Sequence, residues 1–213
     1  MRRFTRSALV VLLAMAGDAS SAMAQDTPLF SLGGGLATPS GVTGNAHTLG
    51  FQAGATGVFP ITGRLGIATS ASYIRLGADQ NAVLAETDID PESFELGGGF
   101  IDGGYRWIGG VTVGLRLLLR PRDRQIVPNL AAGVGWAFTG VADRRIWYLG
   151  EIEPIEGFNE NAPLMRLGGG VEAHVRDGVG LFGAVRYVVA FTNPDRTTAL
   201  PFTFGVSLRL EER

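Results

Sequence analysis

The sequence predicts an all-β chain in which eight antiparallel strands close into an up-and-down barrel that spans a membrane. Three observations predict it. The stretch 163–191, PLMRLGGGVEAHVRDGVGLFGAVRYVVAF, alternates with a period of two and leaves every ion on one face. The same period recurs in the rest of the chain, and the connections between the alternating segments are by turns long and short. Successive side chains of a strand point to opposite sides, so a period of two marks strands whose faces meet different surroundings.

The chain opens on a secretory signal over residues 1–24. Arg2, Arg3 and Arg6 form a positive start, residues 8–16 a short apolar run, and Ala22-Met23-Ala24 a small-x-small cleavage site that leaves Gln25 as the mature N-terminus. The run is too short to cross a bilayer as a helix. No Cys stands beside the cleavage site, which excludes a lipoprotein.

About 190 residues remain, 25–213, the size of one domain. The absence of Cys removes disulfides, zinc thiolate sites and Cys nucleophiles. The formal charge of -2 falls to about -4 once the signal takes away three Arg and one Asp. That balance carries no footprint of nucleic-acid binding. Gly, at 32 of 213 residues, is about twice as frequent as usual. It recurs inside the alternations, where it weakens an ordinary strand but suits a crowded barrel interior.

The strands follow in order. Phe30, Leu32, Gly34 and Leu36 begin the first. Leu49, Phe51, Ala53, Ala55, Gly57 and Phe59 stand against Thr48, Gln52 and Thr56, and Pro60 to Gly63 make a tight turn. Leu65, Ile67, Thr69, Ala71 and Tyr73 stand against Arg64, Ser70 and Ser72. An irregular piece rich in Asp, Glu and Gly then covers about 76–106. The fourth strand sets Trp107, Val111, Val113, Leu115, Leu117 and Leu119 against Thr112 and Arg116. After RPRDRQ, the fifth sets Ile126, Leu130, Ala132, Val134, Trp136 and Phe138 against Asn129 and Thr139. A second long loop covers about 142–162.

The opening stretch supplies strands six and seven. Met165, Leu167, Val171 and Val175 oppose Arg166, Glu172 and His174; Leu181, Val185, Tyr187, Val189 and Phe191 oppose Arg186. Arg176-Asp177-Gly178 is the turn between them, with Asp-Gly supplying a left-handed position. After a loop at 192–199, Phe202, Phe204, Val206, Leu208 and Leu210 oppose Thr203, Ser207 and Arg209.

One parity of all eight strands contains no ion. In water it would form an apolar patch far larger than soluble monomers expose. In lipid it is required, and closure satisfies the edge N–H and C=O groups. A soluble, lipocalin-like periplasmic barrel is the rival architecture, and this uninterrupted outer face argues against it. Long loops on one side and short turns on the other are the asymmetry of bacterial outer-membrane barrels. Phe30, Phe59, Tyr73, Trp107, Phe138, Phe191 and Phe202 fall near strand ends, as interfacial girdles do.

The alternation, the signal and the closing strand FTFGVSLRL resemble the small eight-stranded outer-membrane barrels of Gram-negative bacteria, the OmpA-transmembrane, OmpX and opacity-protein type, over about residues 28–210. The resemblance implies an outer-membrane protein of porin-like architecture, surrounded by lipid and lipopolysaccharide and inserted by the barrel-assembly machinery. It departs from the family pattern at Leu210, where an aromatic is typical, and in the trailing Glu211-Glu212-Arg213.

The lumen of such a barrel is just filled by side chains. Arg116, Arg166, Arg186 and Arg209 with Glu172 therefore form the expected polar network, with Glu172 reaching Arg116 or Arg186. Function is assigned to the loops at about 77–106 and 142–161. Arg144, Arg145, Trp147 and Tyr148 are the contact candidates there, and folding down on the barrel rim or resting in lipid headgroups is the reading preferred for them. The reading is a non-enzymatic protein of envelope integrity and surface interaction with an extracellular partner. A small anion-preferring channel and a lipid-modifying enzyme are the alternatives. The only His residues, His47 and His174, have no Ser two positions away to make a nucleophile and base. Asp88, Asp90 and Glu92 lack the Gly and distal Glu of a calcium loop. No metal and no cofactor are expected.

Overall fold

A computed structural model describes residues 27–210 apart from 86, 88, 122, 123 and 177. The signal expected at 1–24 and the tail after Leu210 lie outside the described residues. Eight strands form one closed antiparallel ring: β1 (Leu29–Pro39), β2 (His47–Pro60), β3 (Leu65–Ala78), β5 (Arg106–Leu118), β6 (Ile126–Val141), β9 (Phe158–Arg176), β10 (Val179–Ala190) and β11 (Thr197–Arg209). Each pairs with the next barrel strand in sequence, and β1 closes the ring on β11 from Leu29↔Arg209 to Pro39↔Ala199. Closure leaves no edge strand, the condition for a sheet to stand in hydrocarbon.

The alternation sorts the side chains as the period requires. Leu32, Leu36, Val111, Val113, Leu115, Leu130, Val134, Leu167, Leu181, Phe204 and Leu208 are all exposed on the outside. Val189 shares their parity yet is buried. Aromatic pairs mark both edges of the belt. Phe30 meets Phe59 edge-on at 6.3 Å beside the short turns, and Phe51 meets Tyr73 at 6.1 Å nearer the long connections. Trp107 to Leu119 cover about 40 Å of strand, or about 30 Å along the normal at an ordinary tilt, enough for an apolar band about 25 Å tall.

The strands continue past this belt. β9 has 19 residues, about 60 Å of strand and about 45 Å along the normal, so it outruns the hydrocarbon. Its first residues, with the end of β3, carry Arg75, Asn159 and Asn161 on the outer parity beyond the girdle. The segment 158–162, expected as loop, is therefore strand. At the other end Gly178 has φ +72 in the turn before β10, the left-handed position that a Gly tolerates.

The long connections are not irregular, which corrects the expectation for 76–106 and 142–162. The first connection holds a single helical turn, α1 (Thr43–Ala46). The second folds into α2 (Gln80–Ala85), α3 (Pro91–Leu96) and β4 (Phe100–Gly103), and the third into the hairpin β7 (Arg144–Tyr148) and β8 (Glu151–Ile155). β4, β7 and β8 pair as a separate three-stranded sheet. Val83, Leu84, Phe94 and Ile146 are its buried core, with Ile89, Ile101, Tyr148 and Ile155 packed around them. Asp90 caps α3, accepting from the backbone N–H and the hydroxyl of Ser93 at 2.9 Å each. Those bonds hold its carboxyl below the usual range.

The belt makes a direct prediction. Val113→Arg, at mid-height on β5, should lower the unfolding free energy in phospholipid vesicles by about 2–4 kcal/mol. Ser70→Arg, on the lumen parity, should follow a different course set by packing. Equal tolerance of Arg at position 113 in urea titrations would mean that this face does not meet lipid.

Candidate functional site: the barrel lumen

Eight strands enclose little space, and the inward residues are correspondingly small. Gly, Ala, Ser and Thr dominate the inner parity of the barrel strands, and the few large side chains have places cleared for them. Phe182 of β10 shows how. Its ring lies over the paired residues Gly33 and Gly205, where a Cβ on either would stand 2.7 Å from the ring. The inside then divides along the barrel into an apolar layer and a charged column.

The apolar layer sits toward the long connections. Ala37, Ile74, Leu76, Ile108, Ala137, Leu164, Val188, Ala190 and Ala199 pack as one buried cluster contributed by seven of the eight strands. Outside it, Thr43 of α1 accepts from the Thr198 N–H at 2.9 Å, and Thr198 donates to the Ser40 carbonyl. These bonds tie the first connection down onto the start of β11. Side chains packed in this way leave few voids larger than a water molecule.

The charged column runs from mid-barrel to the short turns. Arg116 Nη2 of β5 donates to Glu172 Oε2 of β9 at 2.9 Å, bridging over β6, with both side chains largely buried. The Ser207 hydroxyl donates to Glu172 Oε1 at 3.1 Å. His174 Nε2 stands 3.3 Å from that same oxygen and also meets Arg209 Nη2. One nitrogen cannot serve both. A guanidinium only donates, so Nε2 accepts from Arg209, and Nδ1 donates to the Arg124 carbonyl at 3.0 Å. Glu172 is thus bonded to Arg116 and Ser207, while Arg209 is held through His174.

Arg166 and Arg186 are placed differently. Both point inward from adjacent strands and line, with Arg116, Asn129, Thr112 and Phe182, a cavity of about 50 Å³. Neither makes an ion pair with a carboxylate among the described residues. Farther along, Gln52 Nε2 of β2 donates to Thr203 Oγ1 of β11 at 2.6 Å, reaching over β1. Sequence reasoning put Gln52, Thr203 and Ser207 on the polar face but not in these bonds, and it did not single out Phe182. Gly33, Gly205 and an aromatic of inner parity carried that signal, yet only the β1–β11 register brings the three together.

The loop candidates fare unevenly. Trp147 stacks on Phe100 with centroids 5.2 Å apart, and Tyr148 stacks on Phe94 at 5.8 Å. Both side chains are half-buried, and each has one ring face in a stack that helps hold the small sheet together. Arg144 is half-buried, and Arg145 is exposed. Asp90 is occupied as a helix cap and Asp88 lies outside the described residues; no cluster of three metal-ligating side chains occurs among those described.

Solved structures with this architecture are small outer-membrane barrels. The crystal structure of Neisserial surface protein A superposes with a TM-score of 0.53 at 12% identity, covering 86% of this chain and 97% of that one. A major outer membrane protein from Thermus thermophilus gives 0.51 at 14% identity, covering 86% and 99%. This chain has the outer-membrane β-barrel fold. The N-terminal β-barrel domain of Pseudomonas aeruginosa OprF gives 0.50 at 9% identity, covering 87% and 98%. At these identities the likeness is one of fold. No family model and no curated protein matches the sequence. With its apolar belt and its long-loop, short-turn asymmetry, the barrel stands in the outer membrane, the long connections outside and the short turns in the periplasm.

A double-mutant cycle reads the central pair. Glu172→Leu strands the Arg116 charge in the lumen and should cost about 3–5 kcal/mol in urea unfolding from vesicles. Adding Arg116→Met removes the stranded charge and should recover most of that loss. Additive losses would mean that the pair is not coupled.

Proposed function

We propose that this barrel is a closed, non-enzymatic protein of the outer membrane that contributes to envelope integrity and acts at the cell surface through its second and third connections. The observation that carries the reading is the apolar layer at the outer end of the lumen, built around Ile74, Leu76, Ile108, Leu164 and Val188. A plug of that kind favours a scaffold over a pore. The outer connections are folded into a sheet with its own core, which suits a preformed contact surface better than a floppy loop does. Arg145 is the exposed cation of β7 on that surface. His174 is engaged with Arg209 near the periplasmic end and His47 begins β2 at the opposite end, an arrangement that disfavours shared catalysis.

The proposal extends to how the chain reaches its place. Residues 1–24 direct export and are removed, and the closing strand 202–210 is read by the barrel-assembly machinery. Arg75, which lies 3.8 Å over the Tyr105 ring, and Arg196, over Phe191, stand at the outer rim of the belt. They are suited to lipopolysaccharide phosphates. The mass of the mature protein tests the leader: a chain beginning at Gln25 is expected, and an intact Met1 would refute removal.

The lumen arginines without carboxylate partners favour a second reading, a small anion-preferring channel. Planar-bilayer recording separates the two. Purified wild-type protein should give no steady steps, while Ile108→Ser with Leu164→Ser should open conductance by wetting the layer. Steady anion-selective steps from the wild type would replace the plug with the channel. Deleting 144–155 should abolish attachment of expressing cells while the barrel still folds; unchanged attachment would move the contact elsewhere.

A further inference from the structure

The lumen carries more positive charge than its carboxylates balance. Arg116, Arg166 and Arg186 line one cavity, and the carboxylate of Glu172 engages Arg116. Glu160, the other carboxylate of inner parity on β9, lies at the outer rim beside Arg106 at 3.7 Å. Arg166 is only 8% exposed. Its Nε, like that of Arg116, is buried without a hydrogen-bond partner. Guanidinium groups keep their charge in proteins, so neutralisation by proton loss is not open to this pair.

The backbone brings these cations together. Arg166 lies opposite Val188 in the β9–β10 register, which puts Arg186, two residues away on the same face, at its diagonal. Gly168 lies opposite Arg186, and a Cβ there would stand 2.7 Å from Arg186 Cα and 2.9 Å from its Cγ. Gly133 lies opposite Arg166 on the other side. Glycines thus clear a space of about 50 Å³ at the two side chains, room for one or two particles of water's size, about 30 Å³ each. Two like charges held side by side, with the buried Nε of Arg166 unpartnered, are stabilised by a counter-charge between them.

We propose that this cavity is a binding site for a small monovalent inorganic anion of chloride's size, held between Arg166 and Arg186 with Arg116 completing the cradle. The site is a dead end. The apolar layer closes it toward the outside, and the Glu172 carboxylate stands on the periplasmic approach. The anion is therefore a resident counter-ion that lets buried arginines fill the lumen, not a permeating species. Its failure and that of the closed-barrel reading are distinguishable, because binding is read without any current.

The test is chloride-35 NMR line broadening with detergent-folded protein, sulfate or gluconate replacing chloride at fixed ionic strength. Wild type should broaden the line in a saturable way that bromide competes away. Arg166→Gln and Arg186→Gln should lose that excess, while Arg64→Gln, in an exposed turn, should keep it. No excess broadening in wild type, or broadening unchanged in both lumen variants, would overturn the site in favour of water or surface binding. If the lumen variants fail to fold, bromide-soaked crystals of the wild type decide. An anomalous peak between Arg166 and Arg186 supports the site, and water density there without such a peak overturns it.

Discussion

Hydrocarbon offers no hydrogen bonds to a polypeptide, and the whole structure follows from that. Every N–H and C=O within the belt must find its partner in the protein. The β1–β11 pairing is the contact on which this depends, since it converts a curled sheet with two bare edges into a ring with none. Closure in turn fixes which side of each strand faces lipid. The period of two that writes Leu, Val and Phe on one parity and every membrane-embedded ion on the other is the covalent image of that choice.

A ring of eight strands has a second consequence, which is lack of room. The inner parity is built from Gly, Ala, Ser and Thr because larger residues would collide, and each exception displaces its neighbours. Phe182 occupies the floor that Gly33 and Gly205 leave bare. Ile74, Leu76, Ile108 and Leu164 pack as a buried apolar layer toward the outer end. The charged column survives below it because Glu172 accepts from Arg116 and Ser207. Removing one partner of such a pair is strongly destabilising, whereas exchanging both for apolar groups often is not. The lumen charge therefore reads as a solution to filling a narrow interior, with the glycine content as its companion.

The barrel was legible in the sequence because its signal is repeated in eight strands and depends only on parity. Phe30, Trp107 and Phe202 announced the ends of the belt in the same way. What stayed hidden depends on partners distant in the chain. Glu172 could reach either Arg116 or Arg186 until the positions of β5, β9 and β10 around the ring were known. The small outer sheet was hidden for a related reason. Its core joins Val83, Leu84 and Phe94 of one connection to Ile146 of another, and in sequence these apolar residues are scattered among Asp, Glu and Gly. The stacks of Trp147 on Phe100 and of Tyr148 on Phe94 were hidden because each partner lies in the other connection. The end of β3 and the start of β9 were missed because beyond the belt the outer parity carries Arg75, Asn159 and Asn161 while the inner parity buries Leu76 and Ala162, so the contrast of apolar outside and polar inside is lost.

The claim on which all of this rests is a closed barrel seated in lipid, and electrophoretic mobility of the membrane fraction in mild SDS tests it most directly. A closed barrel resists the detergent until heated, so unboiled protein should run ahead of boiled protein, and both bands should come from the outer-membrane fraction. Protein recovered from the soluble periplasm with the same mobility before and after boiling would contradict the account.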